Sequence, residues 1–214
     1  MKIEWLGHSA FRLEESTGTV VVTDPFSADI VGYDMPMTEA DIVTVSHDHA
    51  DHNALDRVTG NYTLLNKIGA YELEGVHIAS LRSYHDSKAG AERGENRVFT
   101  FGMDGVDICH MGDIGEDCQL DFVEALGSVN VLLIPVGGKY TIDAEQAKEY
   151  VDRIMPDIVI PMHYKTKDTD LDIDKVDDFL RLFDEEDIVR LDSNIIEFDR
   201  RFDNDSTKVI VLDK

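Results

Sequence analysis

Cysteine is scarce in this chain: Cys109 and Cys118 are the only two, and their spacing matches no Cys-x-x-Cys pair. A disulfide framework is not indicated, and Cys109, inside an apolar run, reads as a small buried thiol. Basic side chains are also few, 20 against 44 acidic, for a formal charge of −24. Such a field repels nucleic-acid backbones and makes a nuclease the weaker expectation. No apolar run approaches the roughly 20 residues needed to cross a bilayer. The start, Met1-Lys2-Ile3-Glu4-Trp5-Leu6, is patterned as a charged strand and not as a secretory signal. The expectation is a cytoplasmic protein, and 214 residues with 43% hydrophobic content suit one globular domain over 1–214.

What the chain does have is histidine and aspartate gathered at one point. Ser46-His47-Asp48-His49-Ala50-Asp51-His52 follows the apolar run Ile42-Val43-Thr44-Val45, so three imidazoles and a carboxylate fall within six residues. A strand feeding a tight turn aims His47 and His49 together, with Asp51 and His52 beside them. Imidazole nitrogen and carboxylate oxygen suit a first-row divalent cation, and two such ions can share the loop. An ordinary surface turn would favour Asp, Asn, Gly and Ser over histidine.

The pattern His-x-His-x-Asp-His after an apolar strand resembles the signature of the metallo-β-lactamase superfamily, and further motifs match in order. Asp24 lies in Thr23-Asp24-Pro25 after Val20-Val21-Val22, and His85 in Ser83-Tyr84-His85-Asp86. Asp113 lies in Met111-Gly112-Asp113, and His163 in Pro161-Met162-His163-Tyr164. The resemblance implies a four-layer αββα sandwich of the α/β (α+β) class; periodicity alone gives only mixed α and β. It implies one metal on His47, His49 and His85, a second on Asp51, His52 and His163, and Asp113 bridging both. The opening Gly7-His8-Ser9-Ala10-Phe11 and the segment Pro135-Val136-Gly137-Gly138 are similar to a compact branch of that superfamily. That branch holds the L-ascorbate 6-phosphate lactonase and N-acyl-phosphatidylethanolamine phospholipase families.

Along the chain, residues 2–6 and 10–15 read as strands around Gly7-His8-Ser9, and a third strand ends at Asp24. Residues 26–37 read as a loop able to reach over the site. A short helix is expected from Asn53 to Val58, strands around Tyr62–Leu65 and Val76–Leu81, and a polar surface loop from Asp86 to Asn96. Arg97–Phe101 and Val106–Cys109 form an expected hairpin. Asp117 is expected to cap a helix running to Leu126, and Thr141 or Asp143 the next, which carries Ala147, Val151 and Ile154 and stops at Pro156. The runs 131–136 and 158–160 read as buried strands. An amphipathic helix is expected within 168–187, from the spacing of Ile173, Val176, Phe179, Leu180 and Phe183, before two or three closing strands.

The chemistry expected is hydrolysis. Two divalent ions, zinc or manganese, would share a water and lower its pKa from about 16 towards neutrality. The metal-bridging hydroxide would attack a small ester, lactone or phosphodiester, with Asp51 and Asp113 as the catalytic carboxylates. Asp24 reads either as a residue orienting a ligating imidazole or as a turn-initiating Asp before Pro25. His8 and His110 read equally as packing or as residues beside the site, and His77 as structural. Lys139, Lys165 and Arg93 are candidates to hold a substrate phosphate or carboxylate. A phosphodiesterase or nuclease, and a metal-binding module without turnover, stand as the alternatives. A small molecule is the expected partner, and the sequence does not fix the oligomeric state.

Overall fold

The computed structural model describes residues 1–198 and 206–213. Two sheets carry the fold. The first, with six strands, runs in the order Ile195–Glu197, Lys2–Gly7, Ala10–Glu14, Val20–Thr23, Ile42–Thr44, Thr63–Leu65. The second, with eight, runs Ile188–Arg190, Lys208–Val211, Ile158–Met162, Val131–Pro135, Val106–His110, Glu95–Met103, Val76–Tyr84, Gly69–Leu73. A small parallel pair, Thr38–Glu39 with Val58–Thr59, stands beside them.

Alternation along each strand explains why two sheets face each other. In Val20–Thr23, Val21 enters the main core while Val20 and Val22 point into a second cluster on the opposite face. Ile42 and Val43 divide in the same way. The main core joins Ile3, Phe11 and Leu13 of the first sheet to Phe99, Phe101 and Ile108 of the second. Val131–Pro135 and Ile158–Met162 are buried throughout, as expected of central parallel strands covered on both faces.

The helix Ala144–Ile154 covers the outer face of the second sheet with Ala147, Tyr150 and Val151 buried. Asp143, and not Thr141, caps it: its carboxylate accepts from the Gln146 N–H, and Gln146 reaches back to the Asp143 N–H. Met155 in the left-handed region and Pro156 end the helix where expected. On the outer face of the first sheet the cover is thin. It consists of the one-turn helix Ala28–Val31, capped by Ser27 and Gly32, with Phe26, Tyr33 and Met35 packed around it. Residues 26–37 therefore hold a helical turn within the expected loop. The expected helix 53–58 is a single 3-10 turn, Leu55–Arg57.

Two helix expectations need correction. Asp117 does not cap its helix, which spans Leu120–Leu126 after Gln119; the Asp117 carboxylate instead accepts from the Gln146 side chain. Within 168–187 the α-helix is only Val176–Leu180, followed by a 3-10 turn at Glu185–Asp187. The chain before it is not helical because its backbone bonds to distant loops: Asp170 N–H to the Val31 carbonyl, and Asp174 N–H to the Gly137 carbonyl. Apolar spacing continued through Ile173 while the hydrogen bonds did not.

The topology sets the site. Val20–Thr23 and Ile42–Thr44 run parallel in the first sheet, as do Val106–His110, Val131–Pro135 and Ile158–Met162 in the second. Their C-terminal ends deliver Asp24, the His47 loop, Asp113 and His163 to one edge, and Val76–Tyr84 delivers His85 there. No helix among the described residues is long and apolar enough to cross a membrane.

Candidate metal centre

The site is organised around Asp113 Oδ2. His52 Nε2 lies 3.1 Å from it, His85 Nε2 and His163 Nε2 each 3.3 Å, and His47 Nε2 3.8 Å. Two further groupings flank this point. His47, His49 and His85 converge on one side, and His8, Asp51, His52 and His163 on the other, with donor atoms within 4.8 Å of one another in each group. Six of the eight histidines thus contribute to two adjoining clusters.

Local structure holds these side chains in place. Asp24, at φ 40° and fully buried, accepts from the Ser46 N–H at 2.7 Å and from the Ser46 hydroxyl at 2.5 Å. Its Oδ2 also lies 2.9 Å from His52 Nδ1, which leaves Nε2 facing the cluster. Asp24 therefore takes the orienting arrangement and not merely that of a turn residue. The Ser46 hydroxyl is also 2.9 Å from His47 Nδ1. Asn96 is buried between strands: its amide donates to Ser83 Oγ and the Met111 carbonyl, and its Oδ1 accepts from the Asp113 N–H at 3.0 Å. Ser46 and Asn96 escaped the sequence reading; Ser46 was visible only as the residue before the first histidine.

Close approaches fix the remaining loops. Gly112, at φ 56°, could not carry a Cβ, which would lie 2.4 Å from Asn96 Oδ1. A Cβ on Gly137 would lie 2.1 Å from the His163 carbonyl oxygen. His110 is outside the clusters: its Nδ1 accepts from the Gly112 N–H and its Nε2 lies 2.8 Å from the Ser9 carbonyl, so it braces the Asp113 turn. His77 is exposed on its strand, away from these groups.

Electrostatics favour cation binding. Burial and the neighbouring His52 push His47 down to about 3, and burial with His163 pushes His8 down to about 4. Burial also lowers His85. For Asp113, burial opposes ionisation, but His163 and His52 outweigh it and hold the carboxyl well below its usual range. Asp51 is likewise lowered against burial by His52 and His8. Burial disfavours charge on His52, yet Asp113 and Asp51 raise its pKa well above that of free imidazole. The nitrogens His8 Nε2, His47 Nε2, His52 Nε2 and His163 Nε2, and Asp113 Oδ1, are buried without hydrogen-bond partners. Buried polar atoms left in this way are unfavourable unless a further group binds them. Imidazole nitrogens and carboxylate oxygens converging at such distances are a donor set that suits a divalent cation.

The sequence-derived lysines are engaged elsewhere. Lys139 pairs with Asp172, and Lys165 Nζ donates to the carbonyls of Thr169 and Leu171, each at 2.7 Å. Arg93 stands at the mouth, where a cavity of about 260 Å³ is lined by His47, Asp48, His49, Arg93, Glu95 and Arg97. The Arg93 guanidinium lies over the Tyr140 ring at 4.8 Å. Arg97 Nη1 donates to the Ser46 carbonyl at 2.8 Å. Asp86 is the other residue the sequence did not single out. It folds the mouth loop by accepting from the backbone N–H groups of Lys88, Gly90, Glu92 and Arg93.

A family model described as a beta-lactamase superfamily domain matches residues 2–163. A UPF0173 metal-dependent hydrolase of Pyrococcus abyssi is 30% identical over 195 residues, covering 78% of this chain and 85% of that protein. The crystal structure of a Thermotoga maritima protein of the metallo-β-lactamase superfamily, proposed to be a zinc-dependent hydrolase, superimposes with a TM-score of 0.81 at 40% identity. It covers 99% of this chain and 97% of that one. A metallo hydrolase of the archaeon Ignicoccus hospitalis gives 0.60 at 26% identity, over 77% of this chain and 82% of that one. The chain therefore belongs to the β-lactamase superfamily, carries the metallo-β-lactamase fold, and has relatives named as metal-dependent hydrolases.

Proposed function

We propose that the protein is a dinuclear metal-dependent hydrolase of small esters, lactones or phosphodiesters, working in the cytoplasm as one domain. His47, His49 and His85 would hold one divalent cation, zinc or manganese, and Asp51, His52 and His163 the other, with Asp113 available to both donor groups. The observation that carries this reading is the convergence of four imidazole Nε2 atoms on Asp113 Oδ2, with a separate donor group on either side.

Two adjacent divalent cations supply Lewis-acid polarisation of a substrate oxygen and lower the pKa of water towards neutrality. The protein's part is placement and charge. Asp113 and Asp51, held ionised, offset the repulsion between two cations. Asp24 fixes the His52 ring so that Nε2 is presented to the centre. His49 is exposed beside the mouth, which Arg93 and Arg97 line together with Asp48 and Glu95, so the arginines offer cationic contacts within a mixed-charge rim. Substrate therefore approaches from the His49 side, and an anionic or strongly polarised group suits it. The formal charge of −24 favours a small substrate over a nucleic-acid strand.

Elemental analysis with a panel of esters, lactones and phosphodiesters tests the proposal. Two metal equivalents, loss of about one in His163→Ala, and turnover abolished in His49→Ala are expected. A chain that binds no divalent metal, or a His49→Ala variant with unchanged turnover, would sink it.

A further inference from the structure

We infer that His8 is an additional protein ligand on the Asp51–His52–His163 side, so that the two metal positions are unequal. The inference rests on the dinuclear reading above and concerns a residue outside the histidine motif.

Distance is the first argument. His8 Nε2 lies 3.4 Å from Asp51 Oδ2, is buried, and has no hydrogen-bond partner. Good N–H···O bonds fall at about 2.7–3.2 Å, so this contact is long for a bond holding Asp51 in place. Donors about 2.1 Å from a shared tetrahedral ion stand about 3.4 Å apart. The same spacing recurs where His85 and His163 face Asp113, at 3.3 Å. The donor atoms of His8, Asp51, His52 and His163 all lie within 4.8 Å of one another, as do those of His47, His49 and His85.

Backbone geometry is the second. His8 adopts φ 51°, a region that non-glycine residues enter when their surroundings overdetermine it. Pairing of the first two strands shifts register between Trp5 and Gly7, an irregularity of the kind that re-aims a side chain. Three bonds then lock the turn: the His8 N–H donates to Tyr33 Oη at 2.9 Å, and the His8 carbonyl accepts from Trp5 Nε1 and the His163 N–H. A Cβ on Gly7 would lie 2.6 Å from that Tyr33 oxygen, so the Gly-His pair makes the clamp possible. The His8 ring consequently rests against that of His163, centroids 4.2 Å apart.

The consequence is asymmetry. With His8 counted, one position draws on His8, Asp51, His52, His163 and Asp113, of which only Asp51 has notable solvent contact. The other draws on His47, His49, His85 and Asp113, with His49 exposed at the mouth. The buried position should hold its ion longer under chelator and leave substrate to the other.

The test compares zinc content of the full-length wild type, His8→Ala and His8→Gln after loading and brief dialysis against metal-free buffer. Wild type retains two equivalents and both variants about one, because Gln offers Asp51 an amide donor yet replaces imidazole poorly as a ligand. X-ray absorption of His49→Ala carrying one zinc, which leaves His8 untouched, should count three imidazoles at the remaining ion. Two equivalents in His8→Ala, two in His8→Gln, or two imidazoles in the absorption fit would each overturn the inference alone. Fewer than two equivalents in wild type would overturn the dinuclear reading and this inference together.

Discussion

Asp24 and His52, 28 residues apart in sequence, meet through Oδ2 and Nδ1 at 2.9 Å, and the opposite ring nitrogen of His52 faces Asp113 at 3.1 Å. One carboxylate thus sets the ring of a residue at the heart of the cluster and simultaneously binds Ser46 twice. Removing it frees the imidazole and strands two buried donors.

Asp24→Ala should lower metal affinity by about 10- to 100-fold. It should also cost about 1–3 kcal/mol of metal-free stability, because the Ser46 donors lose their acceptor. Competitive metal titration and urea unfolding read the two effects separately. Unchanged affinity would show that the His52 ring keeps its orientation without this partner.

Gly137→Ala should act through His163. The added methyl would meet the His163 carbonyl at 2.1 Å, and His163 cannot retreat freely because its N–H is bonded to the His8 carbonyl. We expect about 1–3 kcal/mol of destabilisation and loss of about one metal equivalent. Thermal unfolding and elemental analysis check this; a variant with wild-type metal content would mean that the loop yields.

Arg93→Ala should raise KM for anionic substrates with little change in kcat, since Arg93 lines the mouth and lies outside the metal clusters. Lys139→Ala should leave KM alone, because its ammonium already faces Asp172. Steady-state kinetics on charged and neutral substrate pairs separate the two, and equal effects would reject the mouth assignment.

The mouth loop should have its own pH dependence. Burial raises the Asp86 carboxyl, but N–H groups led by that of Arg93 outweigh it and bring it down to about 2. A depressed acid stabilises the fold above its unfolded value, about 3.9, and that contribution fades as pH falls through about 2. Loop amides 88–93 should therefore stay protected from hydrogen exchange well into acid, while Asp86→Ala should expose them at neutral pH. Protection in that variant equal to wild type would remove Asp86 from this role.

His47, His49, His52, His85 and His163 were legible as a group because they follow apolar strands and belong to spaced motifs. Ser46 and Asn96 were not, since serine and asparagine occur in every loop and these act through partners far away in the chain. The partners of the lysine candidates were hidden for a related reason. A sequence shows that a cation is present but not that Thr169 and Leu171 carbonyls wait to receive it. The helix expected within 168–187 was overestimated because apolar spacing reports which side is buried, while backbone partners at Val31 and Gly137 decide the conformation.

The donors to the centre come from both sheets: His47, His49, Asp51 and His52 follow a strand of the first, and His85, Asp113 and His163 follow strands of the second. During synthesis the first four emerge more than a hundred residues before His163 does. A growing chain therefore presents one half of the cluster long before the opposing half exists. The finished cluster therefore exists only once the two sheets have closed on each other, so its geometry is a property of the tertiary fold and not of the histidine-rich loop alone.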